Sequence, residues 1–323
     1  MILLQLKSSH KAGDLADIGK IIRKVSDTTG RRIRGHEVQQ IPSIFNKTSV
    51  RKRAEDIALF CRSNRIEYLS YHAIIYQRGE NLWDEKSGPT IRESIIRTAE
   101  EASMVSGLVG LENKVMVISH LTNYVPLENL PITRTEKFEM MSQAVQEYLR
   151  LVKNELAEYR DSCEFAVENS YPKYGSGFAS SGPFHPHEFE PLQKAGIKTV
   201  LDLSHYTLYS NYLKDGRGNL CGDLDREIYS FAPDWKECAK MLSGSLALLH
   251  ISDAAGYTVQ GEGLPLGKGE IPLVTVLREL AALTGGTIQG TIELGEGHLN
   301  HSKSQLDAAL WLIERLPEGV LAW

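Results

Sequence analysis

Cys163-Glu-Phe-Ala-Val-Glu168 is an apolar run that stops on a carboxylate, and its length fits a strand buried on both faces. Five other runs end in the same way, on a side chain able to bind a divalent cation. They are Glu67-Tyr-Leu-Ser-Tyr-His72, Val115-Met-Val-Ile-Ser-His120, Thr199-Val-Leu-Asp202, Leu246-Ala-Leu-Leu-His250 and Thr287-Ile-Gln-Gly-Thr-Ile-Glu293. In a (β/α)8 barrel all strand ends of one sense gather on a single rim, and that rim carries the chemistry. One histidine at a strand end means little. Three histidines, two glutamates and an aspartate closing successive runs point to a metal site.

Outward from these runs, strand and helix patterns alternate along the chain. A first strand is expected at Ile2 to Leu6, followed by an amphipathic helix around Leu15 to Val25. The polar stretch Ile33 to Ile41, with His36 and Glu37, reads as either strand or loop. Ser49 is placed to cap a helix reaching Arg62. Further helices are predicted at about Thr90–Leu108, Thr133–Tyr159, His187–Lys194, Trp235–Leu242, Pro272–Leu283 and Ser304–Leu316. After Leu203 an unusually long connection is expected before Trp235. Eight strands alternating with eight helices imply parallel pairing, right-handed crossovers and a closed TIM barrel spanning 1–323 as one domain. An open doubly wound sheet is the structural alternative, but it would spread the candidate ligands along an edge. No GxGxxG or Walker A pattern supports a nucleotide cradle.

The bulk properties read as those of an ordinary soluble protein with a large core. The chain has 323 residues, 42% of them hydrophobic, and a net charge of −5, which weighs against a nucleic-acid binder. Cys61, Cys163, Cys221 and Cys238 show no CxxC or framework spacing, so reduced thiols and a cytoplasmic location are expected. The N-terminal apolar run is too short for a signal sequence, and no stretch approaches transmembrane length.

Glu168, Asp202, His250 and Glu293 form a mixed oxygen and nitrogen set suited to Mn²⁺, Zn²⁺, Mg²⁺ or Co²⁺. Salt bridging alone would need a matching ring of cations, which these strand ends do not display. His72 and His120 either complete a second metal position that shares Glu168 or face the substrate, so one or two ions per chain are expected. His205, three residues beyond Asp202, is either a ligand or a substrate contact. Asn169 is placed to orient a ligand, and Asp253 either does likewise or caps a turn. His298 and His301 read as solvated surface, and His185 and His187, around Pro186, as residues leading into a helix. The segment Gly261-Glu-Gly-Leu-Pro-Leu-Gly-Lys-Gly-Glu270 reads as a substrate loop in which Glu262 and Lys268 are candidate contacts.

With those residues in view, the chain resembles the xylose isomerase-like TIM-barrel superfamily, which joins sugar phosphate isomerases and epimerases with endonuclease IV. The pieces that carry the resemblance are Ser70-Tyr-His72, Ile118-Ser-His120, Val167-Glu-Asn169, Leu201-Asp-Leu-Ser-His205, His250-Ile-Ser-Asp253, Leu266-Gly-Lys-Gly-Glu-Ile271 and Ile292-Glu293. On the epimerase side, the resemblance implies Glu168, Asp202, His250 and Glu293 as metal ligands. Glu168 and Glu293 would double as acid and base, and His205 would touch a substrate oxygen. On the endonuclease side it implies a first zinc on His72 and His120, a second shared through Glu168, and a third on His205 with an Asp-x-His. Gly261 and Gly263 stand where that Asp and His belong, so the third site lacks two ligands. The implied activity is a metal-dependent isomerase or epimerase acting on a small carbohydrate, sugar phosphate, polyol or keto acid. The alternative is an endonuclease IV-like phosphodiesterase acting on nucleic acid, and a barrel that only binds sugar is a third possibility.

Overall fold

In the computed structural model, which describes all residues except 10, 46, 75–79, 131, 176–177, 216–226, 296–300 and 323, the eight expected runs form one closed sheet. The strands are β1 (Ile2–Ser9), β2 (Gly35–Gln39), β3 (Tyr68–His72), β4 (Val115–His120), β5 (Cys163–Glu168), β6 (Lys198–Asp202), β7 (Leu246–Ile251) and β8 (Ile288–Ile292). Each pairs in parallel with the next, and β8 returns to β1 through Ile2–Ile288 to Leu6–Ile292. Helices between the strands pack outside and bury a continuous apolar layer against the sheet. The polar stretch at Ile33–Ile41 is thereby a true strand over Gly35–Gln39, buried throughout.

Strand pleating explains how the interior is built. Side chains two residues apart share a face, so Ile118, Ala166, Val200 and Leu248 point inward with Met116 and make a small apolar plug. The next inward residues up the same strands are His120, Glu168, Asp202 and His250. Register aligns them: His120 pairs with Glu168, and Asp202 with His250. The other half of the interior is polar. Gln5, Glu37, Ser70 and Thr291 hydrogen-bond one another beneath the mouth, with Ser70 and Thr291 hydroxyls donating to both Gln5 and Glu37.

Two expectations are corrected. The long connection from β6 to Trp235 is not irregular from its start, because a helix over Leu203–Asp215 begins at once. The helix predicted to reach Tyr159 ends at Asn154, and a separate 3-10 turn covers Ala157–Tyr159. A three-stranded antiparallel sheet, Asn123–Pro126 with Phe178–Ser181 and Tyr174–Gly175, grows from the segments after β4 and β5 and stands on the rim. Ser49 caps its helix as expected, its hydroxyl accepting from Lys52 N. His185 leads into the Pro186–Phe189 turn, its Nδ1 accepting the His187 N–H at 3.2 Å. Cys61, Cys163 and Cys238 are buried free thiols, whereas Cys221 and His298 lie outside the described residues. Among the described residues no helix is long and apolar enough to cross a membrane.

Candidate metal centre

Glu168, at the top of β5, is the hub of the rim. Its Oε2 lies 3.0 Å from His72 Nε2, 3.4 Å from His120 Nε2 and 3.3 Å from His250 Nδ1, and its Oε1 lies 3.3 Å from His205 Nδ1. His250 Nδ1 is also 2.6 Å from Glu293 Oε2 and 3.9 Å from Asp202 Oδ2. Two overlapping groups therefore have ligand atoms mutually within 4.8 Å: Glu168, Asp202, His250 and Glu293, and His72, Glu168 and His250.

The hydrogen bonds around these rings decide which atoms face the centre. His250 Nε2 lies 3.1 Å from Glu37 Oε2, a carboxylate that can only accept, so Nε2 carries a proton and Nδ1 is the nitrogen turned towards the centre, free to bind a cation once it gives up its own proton. His72 Nδ1 donates to the Ala73 carbonyl at 2.9 Å, which leaves its Nε2 bare. Both nitrogens point at Glu168 Oε2. His250 Nδ1 and Glu293 Oε2 face each other at 2.6 Å, and among the described residues neither makes a well-aligned hydrogen bond. Lone pairs packed against carboxylate oxygens repel unless a proton or cation lies between them. Three buried carboxylates (Glu37, Glu168 and Asp202) and the partly buried Glu293 gather around one buried ammonium, Lys7. The donor set thus fits a divalent metal.

The electrostatics of the bare cluster carry the same message. Burial, together with the negative charges of Glu168 and Glu293, pushes the Asp202 carboxyl up to about 6. Burial drives His120 down to about 3. In His250 burial opposes the charge, but Glu293, Glu37 and Glu168 outweigh it and hold the ring well above the usual histidine range. A cation would supply the positive charge that protons must otherwise provide.

Asp202 has a second task. Its Oδ1 accepts the backbone N–H of His205 at 2.6 Å and so caps the helix that starts at Leu203. Asn169 brackets the same turn, its Oδ1 accepting Asp202 N at 2.7 Å and its Nδ2 donating to Asp202 O at 3.2 Å. His205 Nδ1 meets the Asn169 carbonyl at 2.9 Å, and its Nε2 meets Glu262 Oε1 at 2.8 Å. Tyr171 and Lys173 also bond Glu262, and His205 with Lys173 holds this carboxyl at about 2 against the opposing effect of burial. Lys268 is exposed, and among the described residues no hydrogen bond or ion pair joins it to the cluster.

The glycine-rich loop is held from below by Asp253. Its Oδ1 accepts N–H groups from Ala254 and Ile271, and its Oδ2 accepts one from Gly267. Asp253 therefore organises the loop rather than a ligand. The loop leaves no room for side chains at the two positions where a third metal would need them. A Cβ on Gly261 would fall 1.7 Å from the Ala255 carbonyl oxygen, and one on Gly263, at φ +64°, would fall 2.6 Å from Gly295 N.

Sequence reasoning missed Lys7 and gave Glu37 no role. Lys7 Nζ bridges Glu293 Oε1 at 2.7 Å and Glu37 Oε1 at 2.9 Å. The signal was the period of two in Leu4-Gln-Leu-Lys7, which turns Lys7 inward above Gln5. Lys7, Ser8, Ser9, Gln39, Glu293 and Gln305 line a small cavity of about 120 Å³ beside the cluster.

No family model matches the sequence, and no curated protein matches it. Solved structures do. A D-tagatose 3-epimerase-like protein aligns at TM-score 0.60 and 14% identity over 96% of this chain and 98% of its own. A xylose isomerase domain protein from Planctomyces limnophilus aligns at TM-score 0.60 and 15% identity, covering 97% and 96%. A D-psicose 3-epimerase solved in the presence of D-fructose aligns at TM-score 0.58 and 14% identity, covering 98% and 99%. These likenesses run along nearly the whole chain and are of fold, a (β/α)8 barrel.

Proposed function

We propose that this chain is a divalent-metal-dependent isomerase or epimerase acting on a sugar, sugar phosphate, or related polyol or keto acid. The observation that carries the reading is the convergence of Glu168 and Glu293, from β5 and beyond β8, on one buried site shared with Asp202 and His250. The similarity to epimerase and isomerase barrels supports it at the level of fold. Glu168, Asp202, His250 and Glu293 would hold the ion, with His72 and His120 available for a second. When bound, the ion supplies Lewis acidity towards a carbonyl and its neighbouring hydroxyl.

The remaining chemistry belongs to the chain. Glu168 and Glu293 reach the site from different strands, so one takes the proton from the carbon next to the carbonyl and the other returns it. Acid–base assistance of this kind contributes about 10²–10⁴ in rate. The His205–Glu262 pair offers a donor and an acceptor side by side for a substrate hydroxyl, and Lys173 and Tyr171 hold the acceptor in place. Ser8, Ser9, Gln39 and Gln305 give the adjoining cavity a hydroxyl- and amide-rich wall suited to a polyol. The test is exchange of the substrate's α-hydrogen with solvent deuterium, followed by NMR across a ketose panel with Mn²⁺ or Co²⁺ added. Metal-dependent exchange into at least one ketose is expected, and a panel with no exchange overturns the reading.

One observation favours a second reading. His72 and His120 both crowd Glu168 Oε2, which a single-ion epimerase does not require. Two ions bridged by Glu168 would suit an endonuclease IV-like phosphodiesterase. The closed backbone at Gly261 and Gly263 argues against a third ion. Two zinc per chain with cleavage of an abasic oligonucleotide would support the hydrolase. One manganese or cobalt with α-hydrogen exchange would support the isomerase.

A further inference from the structure

Lys7, Glu37, His250 and Glu293 close a ring of charges across the barrel. Lys7 Nζ holds Glu293 Oε1 and Glu37 Oε1, Glu37 Oε2 accepts from His250 Nε2, and His250 Nδ1 returns to Glu293 Oε2. The ring follows from the fold, because Lys7 and Glu37 are register partners on β1 and β2, while His250 pairs with Thr291 on β8, two residues before Glu293. Lys7, Glu37 and His250 are all buried. Glu37 is further fixed by hydroxyls from Ser70 and Thr291.

We infer that Lys7 and Glu37 are positioning residues for the metal centre. Glu37 dictates the His250 tautomer and so presents Nδ1, and Lys7 occupies one oxygen of Glu293 so that only Oε2 is offered to the ion. Groups that orient a ligating histidine or carboxylate raise metal affinity by about 10- to 100-fold. The ring also limits the charge of the site. The Lys7 ammonium cancels the extra carboxylate that Glu37 brings, leaving Glu168, Asp202 and Glu293 as the uncompensated anions. This inference rests on the metal-dependent reading above.

The test is Co²⁺ binding to the purified full chain, measured by competition with a chelator and by the visible absorption of the bound ion. Glu37→Leu leaves the Lys7–Glu293 pair intact, and Lys7→Met/Glu37→Gln removes one charge of each sign, so the net charge of the site is unchanged although Glu293 Oε1 loses its ammonium partner. Each should weaken Co²⁺ binding about 10- to 100-fold and alter its absorption bands, while the metal-free chain keeps a cooperative thermal transition. Glu37→Gln alone, whose amide oxygen still accepts from His250 Nε2, should retain more affinity than Glu37→Leu. Folded variants with the wild-type affinity and spectrum overturn the inference and leave the proposed function standing. If Glu37→Leu does not fold, the charge-balanced double variant decides. A wild-type chain that takes up no Co²⁺ overturns the metal reading, and this inference falls with it.

Discussion

Asp202 and His205 are tied by a single hydrogen bond, from the His205 backbone N–H to Asp202 Oδ1 at 2.6 Å, which turns the end of β6 directly into a helix. One carboxylate therefore serves two purposes, since Oδ2 remains turned towards His250.

The two roles separate by mutation. Asn caps helices about as well as Asp, whereas Ala costs about 1 kcal/mol. Asp202→Asn should keep the thermal stability of the metal-free chain within a few degrees while weakening Co²⁺ binding. Asp202→Ala should lower both. Unfolding curves with metal titrations on the same samples check this, and equal metal affinity in wild type and Asp202→Asn would remove Asp202 from the ligand set.

Glu293→Gln preserves shape and an acceptor oxygen but loses the ability to take a proton. It should abolish α-hydrogen exchange while Co²⁺ still binds, more weakly, through Glu168, Asp202 and His250. Exchange at a rate near wild type would sink the two-carboxylate scheme.

The glycine-rich loop should be intolerant in two places. Asp253→Ala strands the buried N–H groups of Ala254 and Ile271 and releases that of the exposed Gly267, and buried donors left unpaired cost about 1–3 kcal/mol each. Gly261→Asp restores the residue type that a third metal would need, but its Cβ collides with Ala255 O. It should therefore destabilise the chain without adding a bound ion. Denaturation in urea and metal counting by elemental analysis read both outcomes.

A pH effect is expected away from the metal centre. Glu188 and Lys137 form a buried ion pair at 2.8 Å. Burial raises the Glu188 carboxyl, but Lys137 and the N–H groups of Phe184 and His185 outweigh it and hold the group below the usual carboxylate range. A group lowered in the folded state contributes stability above its unfolded pKa, and that contribution is lost as pH falls towards the folded value. Glu188→Gln should therefore flatten part of the acid-side loss of stability, seen by comparing unfolding free energies from neutral pH down into the acid range. Lys137→Met, which strands a buried carboxylate, should cost about 3–5 kcal/mol at neutral pH. Parallel acid profiles for wild type and Glu188→Gln would show that the pair contributes nothing.

Much of the barrel was legible because a strand buried on both faces leaves a continuous apolar run, and six runs ended on polar groups. The same logic hid β2, since Gly35-His-Glu-Val-Gln39 lies against the polar half of the interior and has no apolar signature. The helix after β6 was missed although Leu203, Tyr206, Tyr209 and Leu213 recur at helical spacing and are buried, because Asp202 was read only as a ligand and not also as a cap. Lys7 escaped notice because a lysine near a chain terminus usually lies in solvent, and only the closure of β8 onto β1 encloses it. The small antiparallel sheet on the rim pairs segments from different loops, and no periodicity within either loop announces it.

Because the chain coils into a helix immediately after β6, that quarter of the mouth is a fixed wall. The segments after β4 and β5 instead add a small antiparallel sheet to the rim, where Asn123–Pro126 meets Phe178–Ser181. Efforts to retune which molecule is accepted should graft new hairpins there, since lengthening the wall side would uncap a helix and dislodge a ligand at once.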